Sequence, residues 1–373
     1  LIRVEATRPH DWEALGERWR ALEPRCDGSF FQSWTWMGCM ARRRFPDPLL
    51  LEAFDGADLV GLALFNRRGG RLHLSETGEP VLDNLTVEHN GVLASRDHGS
   101  EVRLACMRAA RHAARSVTLS GIGEADQRAA AATGPAHVGR TSPSPYVDLA
   151  ALRADGRPYL ASLGANTRYQ INRSMRRYAE SGPLAAARAD GLAEAKGFLA
   201  ALIELHAARW SEKGRPGAFA AEPIPEFHRE LLVRGVPRGE IELWRVTAGD
   251  IAVGYLYNFK YNKTVMSYQS GFIAPRTPHL KPGLVCHSLV IQAHLGEDAE
   301  AYDFLGGDHR YKFNLAARAS QLFWTDLTRR GSPRWTVYKL REIATAFKFF
   351  AASRSPLASP TTADFTPIHH RCG

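Results

Sequence analysis

Residues 264–316 read TVMSYQSGFIAPRTPHLKPGLVCHSLVIQAHLGEDAEAYDFLGGDHRYKFNLA. The pattern predicts strand, loop, helix, strand and a second helix, with Pro282-Gly283 set where the first helix begins. A helix leaves its first backbone N–H groups unpaired and carries a partial positive charge at that end, so a pyrophosphate can bind there without a dedicated side chain. Gly283 keeps the approach open. A strand that ends in a splayed edge at Gly271, beside such a helix start, makes a cleft. Its expected lining is Gln269, Ser270 and Gly271 on the strand, with Lys281, Pro282, Gly283 and Leu284 on the helix.

Outward from this stretch, the sequence echoes itself. Residues 49–78 give strand, Asp-Gly turn, strand, Gly-Gly turn, strand, and residues 241–271 repeat the plan with Gly-Asp and Tyr-Asn-Lys turns. Gly61 and Gly254 each follow a Val in the middle strand, and Gly78 and Gly271 each close the third; one offset of 193 residues relates both pairs. Two helical segments precede each meander, at 11–22 and 33–43 and again at 192–213 and 224–234, and a helix and short strand follow each, at 101–115 with 117–121 and at 284–296 with 301–305. The reading is an α+β fold of duplicated units, each a mostly antiparallel mixed sheet flanked by helices. The turn-rich 141–145 (TSPSP) is expected to be the joint, dividing the chain into residues 1–150 and 151–345. A Ser/Thr/Pro-rich tail over 346–373 is expected to be disordered.

Hydrophobic residues make up 45% and charged residues 23% of the 373, which excludes disorder over most of the length. No apolar run reaches the roughly 18 residues of a membrane span, and the start, LIRVEATRPHDW, lacks a signal-peptide pattern, so a cytoplasmic address is expected. Five scattered cysteines without a CxxC pair argue against a disulfide framework and a zinc knuckle, and no metal is expected. The net charge of +9 favours anionic partners: a phosphorylated cofactor, an acidic membrane face or RNA. The basic amphipathic segment 338–352 suits peripheral membrane contact, though such helices more often pack on their own domain.

Three further clusters carry candidate chemistry. In YDFLGGDHRYKFNLA, Gly306-Gly307 turns the backbone out of a strand and gathers polar groups. There Asp308 suits orienting or deprotonating an attacking amine, Tyr311 protonating a leaving thiolate, and Lys312 neutralising a phosphate or carboxylate; the plain alternative is a helix cap with a solvated first turn. Arg168, Asn172 and Arg176, four apart on one helix face and flanked by Arg173 and Arg177, form a cationic ridge suited to phosphates, or an ordinary solvated face. His206, Arg209 and Trp210, on a helix running into a Gly-rich loop, suit the rim of an acceptor pocket, although a lone helical His is more often a packed residue. There is no GxSxG, Walker loop or HExxH, so hydrolase, kinase and zincin readings have no motif.

Together, NTRYQINRSMRR, HAARW, GYLYNFKYNKTVMSYQSGF, LKPGLVCHSLVIQ and YDFLGGDHRYKFNLA resemble the CelD/BcsL-type (BioF-like) acetyltransferases of the GNAT superfamily, with the tandem architecture of the FemAB aminoacyltransferases. The resemblance spans residues 5–345 and is strongest from 150 to 325. It implies two GNAT-like domains, with acyl-CoA or acetyl-CoA as co-substrate. The thioester carbonyl would meet backbone N–H at the splayed strand and the pyrophosphate the Gly283 helix start. PRTPHLKPG departs from the usual glycine-rich pyrophosphate loop. The expected activity is direct acyl transfer to an amine, or a hydroxyl, of a sugar, exopolysaccharide precursor or lipid. Two alternatives stay open: an aminoacyl-tRNA-dependent FemAB-like transferase, whose arginine ridge would bind nucleic acid, and a non-catalytic binding module for exopolysaccharide synthesis.

Overall fold

The computed structural model describes residues 1–275, 277, 279–340 and 343. Residues 1–329 form one compact unit and the rest a second, whose described part is mainly a helix over 333–340. The expected tail and most of the basic segment 338–352 lie outside the described residues.

The first half of the large unit runs β1 (Arg3–Thr7), α1 (Trp12–Leu22), α2 (Trp34–Arg44), β2 (Pro48–Asp55), β3 (Asp58–Arg68), β4 (Arg71–Leu74), β5 (Leu93–Ala94), α3 (Gly99–Ala113), β6 (Ser116–Ile122), α4 (Glu124–Ala132) and β7 (Ala136–Asp148). The second continues with α5 (Leu149–Ala154), α6 (Tyr159–Ser162), α7 (Ala165–Ala179), β8 (Leu184–Arg188), α8 (Gly191–Ser211), α9 (Pro223–Gly235), β9 (Ile241–Ala248), β10 (Ile251–Tyr261), β11 (Thr264–Phe272), α10 (Pro282–Leu295), β12 (Ala301–Asp303), α11 (Arg310–Leu315) and β13 (Arg318–Thr328). Local chemistry accounts for the boundaries. Asp11 caps α1 by accepting from the N–H groups of Glu13 and Ala14 at 3.0 and 2.9 Å. Asn262 and Lys263, both at positive φ (45° and 58°), make the tight turn between β10 and β11.

All the strands join one sheet in the order β1-β2-β3-β4-β6-β13-β7-β12-β11-β10-β9-β8, with β5 on β3. The duplication is visible in it. In both halves an antiparallel meander is followed by a helical crossover to a parallel strand: β4 with β6 through α3, and β11 with β12 through α10. Gly61 and Gly254 both sit beside an irregularity in strand register, where the crossover helix presses on the sheet. A Cβ at Gly61 would lie 2.2 Å from Val102 of α3; one at Gly254 would lie 2.7 Å from Phe272 and 3.2 Å from Cys286 of α10.

Three expectations are corrected. The stretch 141–145 is no joint but part of β7, paired with β13 from Arg318 to Leu327. Its prolines fit because the carbonyls of Pro143 and Pro145 face residues 304–307, accepting from Gly307 and Phe304, so the missing N–H groups cost β13 nothing. Gly78 does not close the third strand, since β4 stops at Leu74 and Ser75 turns to positive φ (57°). The strand over 301–305 ends at Asp303.

The cores explain why the large unit is single. One apolar cluster joins α1 and α2 of the first half to α8 and α9 of the second across β10 and β11; Phe30 stacks on Phe259 at 4.2 Å and Trp36 meets Phe227 edge-on at 5.0 Å. A second cluster lies under α3 and α4, and a third under α10. Cys26, Cys39, Cys106 and Cys286 are free thiols buried in these cores, and burial pushes the first three up to about 12. Among the described residues no helix is long and apolar enough to cross a membrane.

Candidate active site

The site begins where β11 and β12 part. They pair only at Thr264↔Ala301, Val265↔Tyr302 and Met266↔Asp303. Beyond that fork β11 runs on to Phe272 with β10 alone on its other side. The chain after Asp303 instead follows β7, with Phe304 N–H donating to Pro145 O at 2.9 Å and Gly307 N–H to Pro143 O at 2.9 Å. Among the described residues no strand covers the edge of β11 at Gln269, Ser270 and Gly271. The equivalent fork of the first half is closed: Asn90 Nδ2 donates to Leu74 O at 2.9 Å and to Ser120 O at 3.2 Å, stitching both sides together. Glu76, buried beside that plug and accepting from Ser120 Oγ at 2.6 Å, has its carboxyl pushed up to about 8 by burial and by Asp83.

The open fork has two faces, because β12 alternates between cores. Tyr302 and Phe304 belong to the core under α10, whereas Leu305 and Met266 belong to the core under α8 and α9. On the α10 face, the helix start is held from α7. Ser174 Oγ accepts from Lys281 N–H at 3.2 Å and donates to His279 O at 3.4 Å, while Arg173 Nη2 donates to the same carbonyl at 3.3 Å. The Nε of Arg173 is buried without a hydrogen-bond partner among the described residues. A Cβ at Gly283 would come within 3.0 Å of the Phe272 ring, so the first turn of α10 lies directly against the end of β11. One turn on, His287 is buried, and burial with the nearby Lys312 charge lowers it to about 3. It meets the Tyr302 hydroxyl at 3.2 Å and lies parallel to Tyr311, ring centres 6.1 Å apart.

Of the residues expected to react, Tyr311 stands 41% exposed over His287, its phenol raised by burial against the pull of Arg209. Asp308 is exposed on the turn before α11. Lys312 is buried, its Nζ donating to Leu305 O at 3.0 Å and Gly306 O at 2.6 Å. Burial lowers its ammonium, against the charges of Glu88, Asp303 and Asp308. Arg209 of α8 is thus near Tyr311, but its neighbours in the expected pocket rim diverge. His206 is buried against Trp210 and Phe219, lowered to about 4 by burial and Arg209, with Nδ1 unpartnered. On α7, Asn172 and Arg176 are exposed, whereas Arg168 turns back to donate to Leu163 O at 3.0 Å. Arg177 pairs with Glu180 at 3.4 Å.

The α8 and α9 face of the fork holds a polar cluster that sequence reasoning missed. Asp303 Oδ1 accepts from Ser144 Oγ at 2.7 Å and from Leu305 N–H at 2.6 Å, and Asp303 Oδ2 lies 3.2 Å from His89 Nε2. Glu88, buried, accepts from Gly306 N–H at 2.5 Å; burial raises its carboxyl despite that bond and the Lys312 charge. Tyr268 of β11 reaches across to Leu85 O at 2.5 Å. The first half thus supplies Glu88, His89 and Ser144 to a fork built by the second. Their only sequence signal is a Glu-His-Asn run in a loop, which nothing local distinguishes.

Behind α10, Glu242, His294 and Glu297 bring ligand-type atoms within 4.8 Å of one another. Arg188 pairs with both carboxylates and Trp244 Nε1 donates to Glu242 at 3.0 Å, while His294 Nε2, 3.1 Å from Glu242, is buried without a hydrogen bond among the described residues.

Residues 165–313 match the family profile of the acetyltransferase (GNAT) domain. No curated protein matches the chain by sequence. Among solved structures, FemX is similar over 90% of this chain and 99% of its own, at 10% identity and a TM-score of 0.60. The C-terminal domain of a putative lysylphosphatidylglycerol synthetase from Agrobacterium fabrum matches 92% of this chain and 96% of its own, at 10% identity and a TM-score of 0.55. L-PGS from Bacillus licheniformis matches 89% and 96%, at 12% identity and a TM-score of 0.52. The fold is α+β, two similarly built halves joined in one mixed sheet flanked by helices, and the match to the acetyltransferase (GNAT) profile falls in the second half.

Proposed function

We propose that the chain is an N-acyltransferase that moves an acyl group from acyl-CoA to an amine on a sugar, a polysaccharide precursor or a lipid. The observation that carries this reading is the open fork of β11 and β12 beside the start of α10, set against the closed fork of the first half. An extended thioester arm can pair with the free edge at Gln269, Ser270 and Gly271. Its pyrophosphate would meet the unpaired N–H groups of the first turn at Gly283 and Leu284, with Lys281 and the guanidinium of Arg173 alongside. Backbone N–H at the fork would stabilise the oxyanion of the tetrahedral adduct. Tyr311, over His287, is assigned the proton for the departing thiolate, with Asp308 and Lys312 shaping the field around it. Arg209 and Trp210 at the end of α8 would rim the acceptor's entry. The division of the chain at residue 150 is then one of labour: the second half holds the donor and the first completes the fork.

The test is thiol release from acetyl-CoA and palmitoyl-CoA on addition of glucosamine or a sphingoid base. Amine-dependent release by wild type, lost in Gly283→Glu, supports the reading; release from neither donor with either amine contradicts it. A second reading, transfer from aminoacyl-tRNA, is favoured by the exposed Asn172 and Arg176 on the helix that buttresses α10. It requires RNA that co-purifies and activity that falls steeply with salt.

A further inference from the structure

His89 differs from every residue assigned so far in coming from the first half, and its surroundings are built rather than incidental. Its backbone is held at positive φ (47°), as is that of Leu305 (60°) across the cluster. For non-glycine residues such backbone is costly and persists only where the surroundings over-determine it. Ser144 donates its hydroxyl proton to Asp303 Oδ1, so its oxygen and Asp303 Oδ2 are both acceptors for the imidazole, at 3.1 and 3.2 Å from Nε2. The network assigns the ring proton to Nε2 and leaves Nδ1 as the lone-pair nitrogen. The side chain keeps 23% of its surface exposed, enough to meet a second molecule. Asp303 is the last paired residue of β12, so the imidazole sits at the fork itself, on the face opposite α10.

Resting on the acyl-transfer reading above, we propose that His89 is the base that takes the proton from the acceptor amine, with Asp303 and Ser144 as its positioning residues. Donor and acceptor then reach the fork from opposite faces. The acceptor arrives as an ammonium and gives one proton to His89 Nδ1. The freed lone pair forms the C–N bond at the thioester carbonyl. The C–S bond breaks as the adduct collapses, the sulfur leaving with the electron pair and taking the Tyr311 phenol proton, and the second N–H proton restores the tyrosine. The imidazolium returns its proton to solvent. The charged groups acting on the ring are Asp303 from β12 and Glu88 from its own loop, and Glu88 in turn interacts with Lys312 from α11 and Tyr268 from β11. Burial lowers the imidazole, but Asp303 and Glu88 outweigh that and hold it above its usual 6.5, so the reaction should accelerate as pH rises through that raised value.

His89→Gln and Asp303→Asn test the assignment, with acetyl-CoA and palmitoyl-CoA as donors and glucosamine, a sphingoid base and hydroxylamine as acceptors. In His89→Gln, kcat with the two basic amines should fall by roughly 100-fold or more. The rise with pH should shift upward to follow the amine's own deprotonation, while donor affinity by calorimetry and transfer to hydroxylamine, unprotonated at neutral pH, persist. In Asp303→Asn the rise should move to lower pH, a change that a structural role would not produce and one that serves if His89→Gln does not fold. Wild-type kcat with an unaltered pH profile in either soluble variant overturns the proposal. A wild type that binds no donor, or transfers to no amine, overturns the functional reading and this assignment with it; wild-type turnover with unaffected variants overturns the assignment alone.

Discussion

Glu76 shows what closing the first fork entails for a single residue. Its carboxyl titrates near 4.5 when unfolded and near 8 when folded, pushed up by burial and by Asp83. A folded value above the unfolded one means the stabilisation is complete below about 4.5 and is lost as pH rises through about 8. Glu76→Gln, which keeps the acceptor for Ser120, should therefore leave the melting temperature near wild type at pH 5 and raise it at pH 9. Gly254 makes the opposite kind of demand, since a side chain there has Gly271 O at 2.8 Å and Phe272 at 2.7 Å. Gly254→Val should cost about 1–3 kcal/mol in a urea titration, the usual penalty for overpacking. This glycine and Gly61 were legible in the sequence because a duplicated fold repeats a steric need at a fixed offset. Glu88 was not, because its partner Gly306 lies 218 positions away and nothing near Glu88 anticipates it.

At the scale of elements, the order of strand, helix and strand in 264–316 is legible because each carries local signals: a tight turn before β11, Pro282-Gly283 at the start of α10, and an apolar run through it. What escaped was how neighbouring elements tune that unit. The arginine ridge on α7 was visible as periodicity, yet its residues part ways, Arg173 and Ser174 bracing the start of α10 while Arg176 faces solvent. Ser174→Ala removes one anchor of that helix start, and donor affinity should weaken by about 1 kcal/mol, near five-fold, in calorimetry with little change in stability. Asn90 closes its fork through polar contacts that a leucine cannot make. Asn90→Leu leaves the carbonyls of Leu74 and Ser120 without these bonds, and stability should fall by roughly 1–3 kcal/mol per orphaned group.

For the molecule as a whole, pairing between distant strands decides the architecture. The strand β13 comes from the end of the large unit yet lies between β6 and β7, and α1, α2, α8 and α9 share one core. Neither fact is local, which is why 141–145 looked like a joint. Residues 151–345 expressed alone would lose β7 beside β12 and half of that core. They should fail to give a cooperative unfolding transition by circular dichroism, whereas co-expression with residues 1–150 should restore one. The two halves differ in the same way, one fork sealed by Asn90 and the other open beside the start of α10. The most direct test of that asymmetry is calorimetric titration of wild type, Gly283→Glu and Asn90→Leu with acetyl-CoA and palmitoyl-CoA. One donor site per chain is expected, abolished by the glutamate and retained when the sealed fork is altered; no donor binding by wild type, or binding indifferent to Gly283→Glu, would overturn the donor site at the open fork.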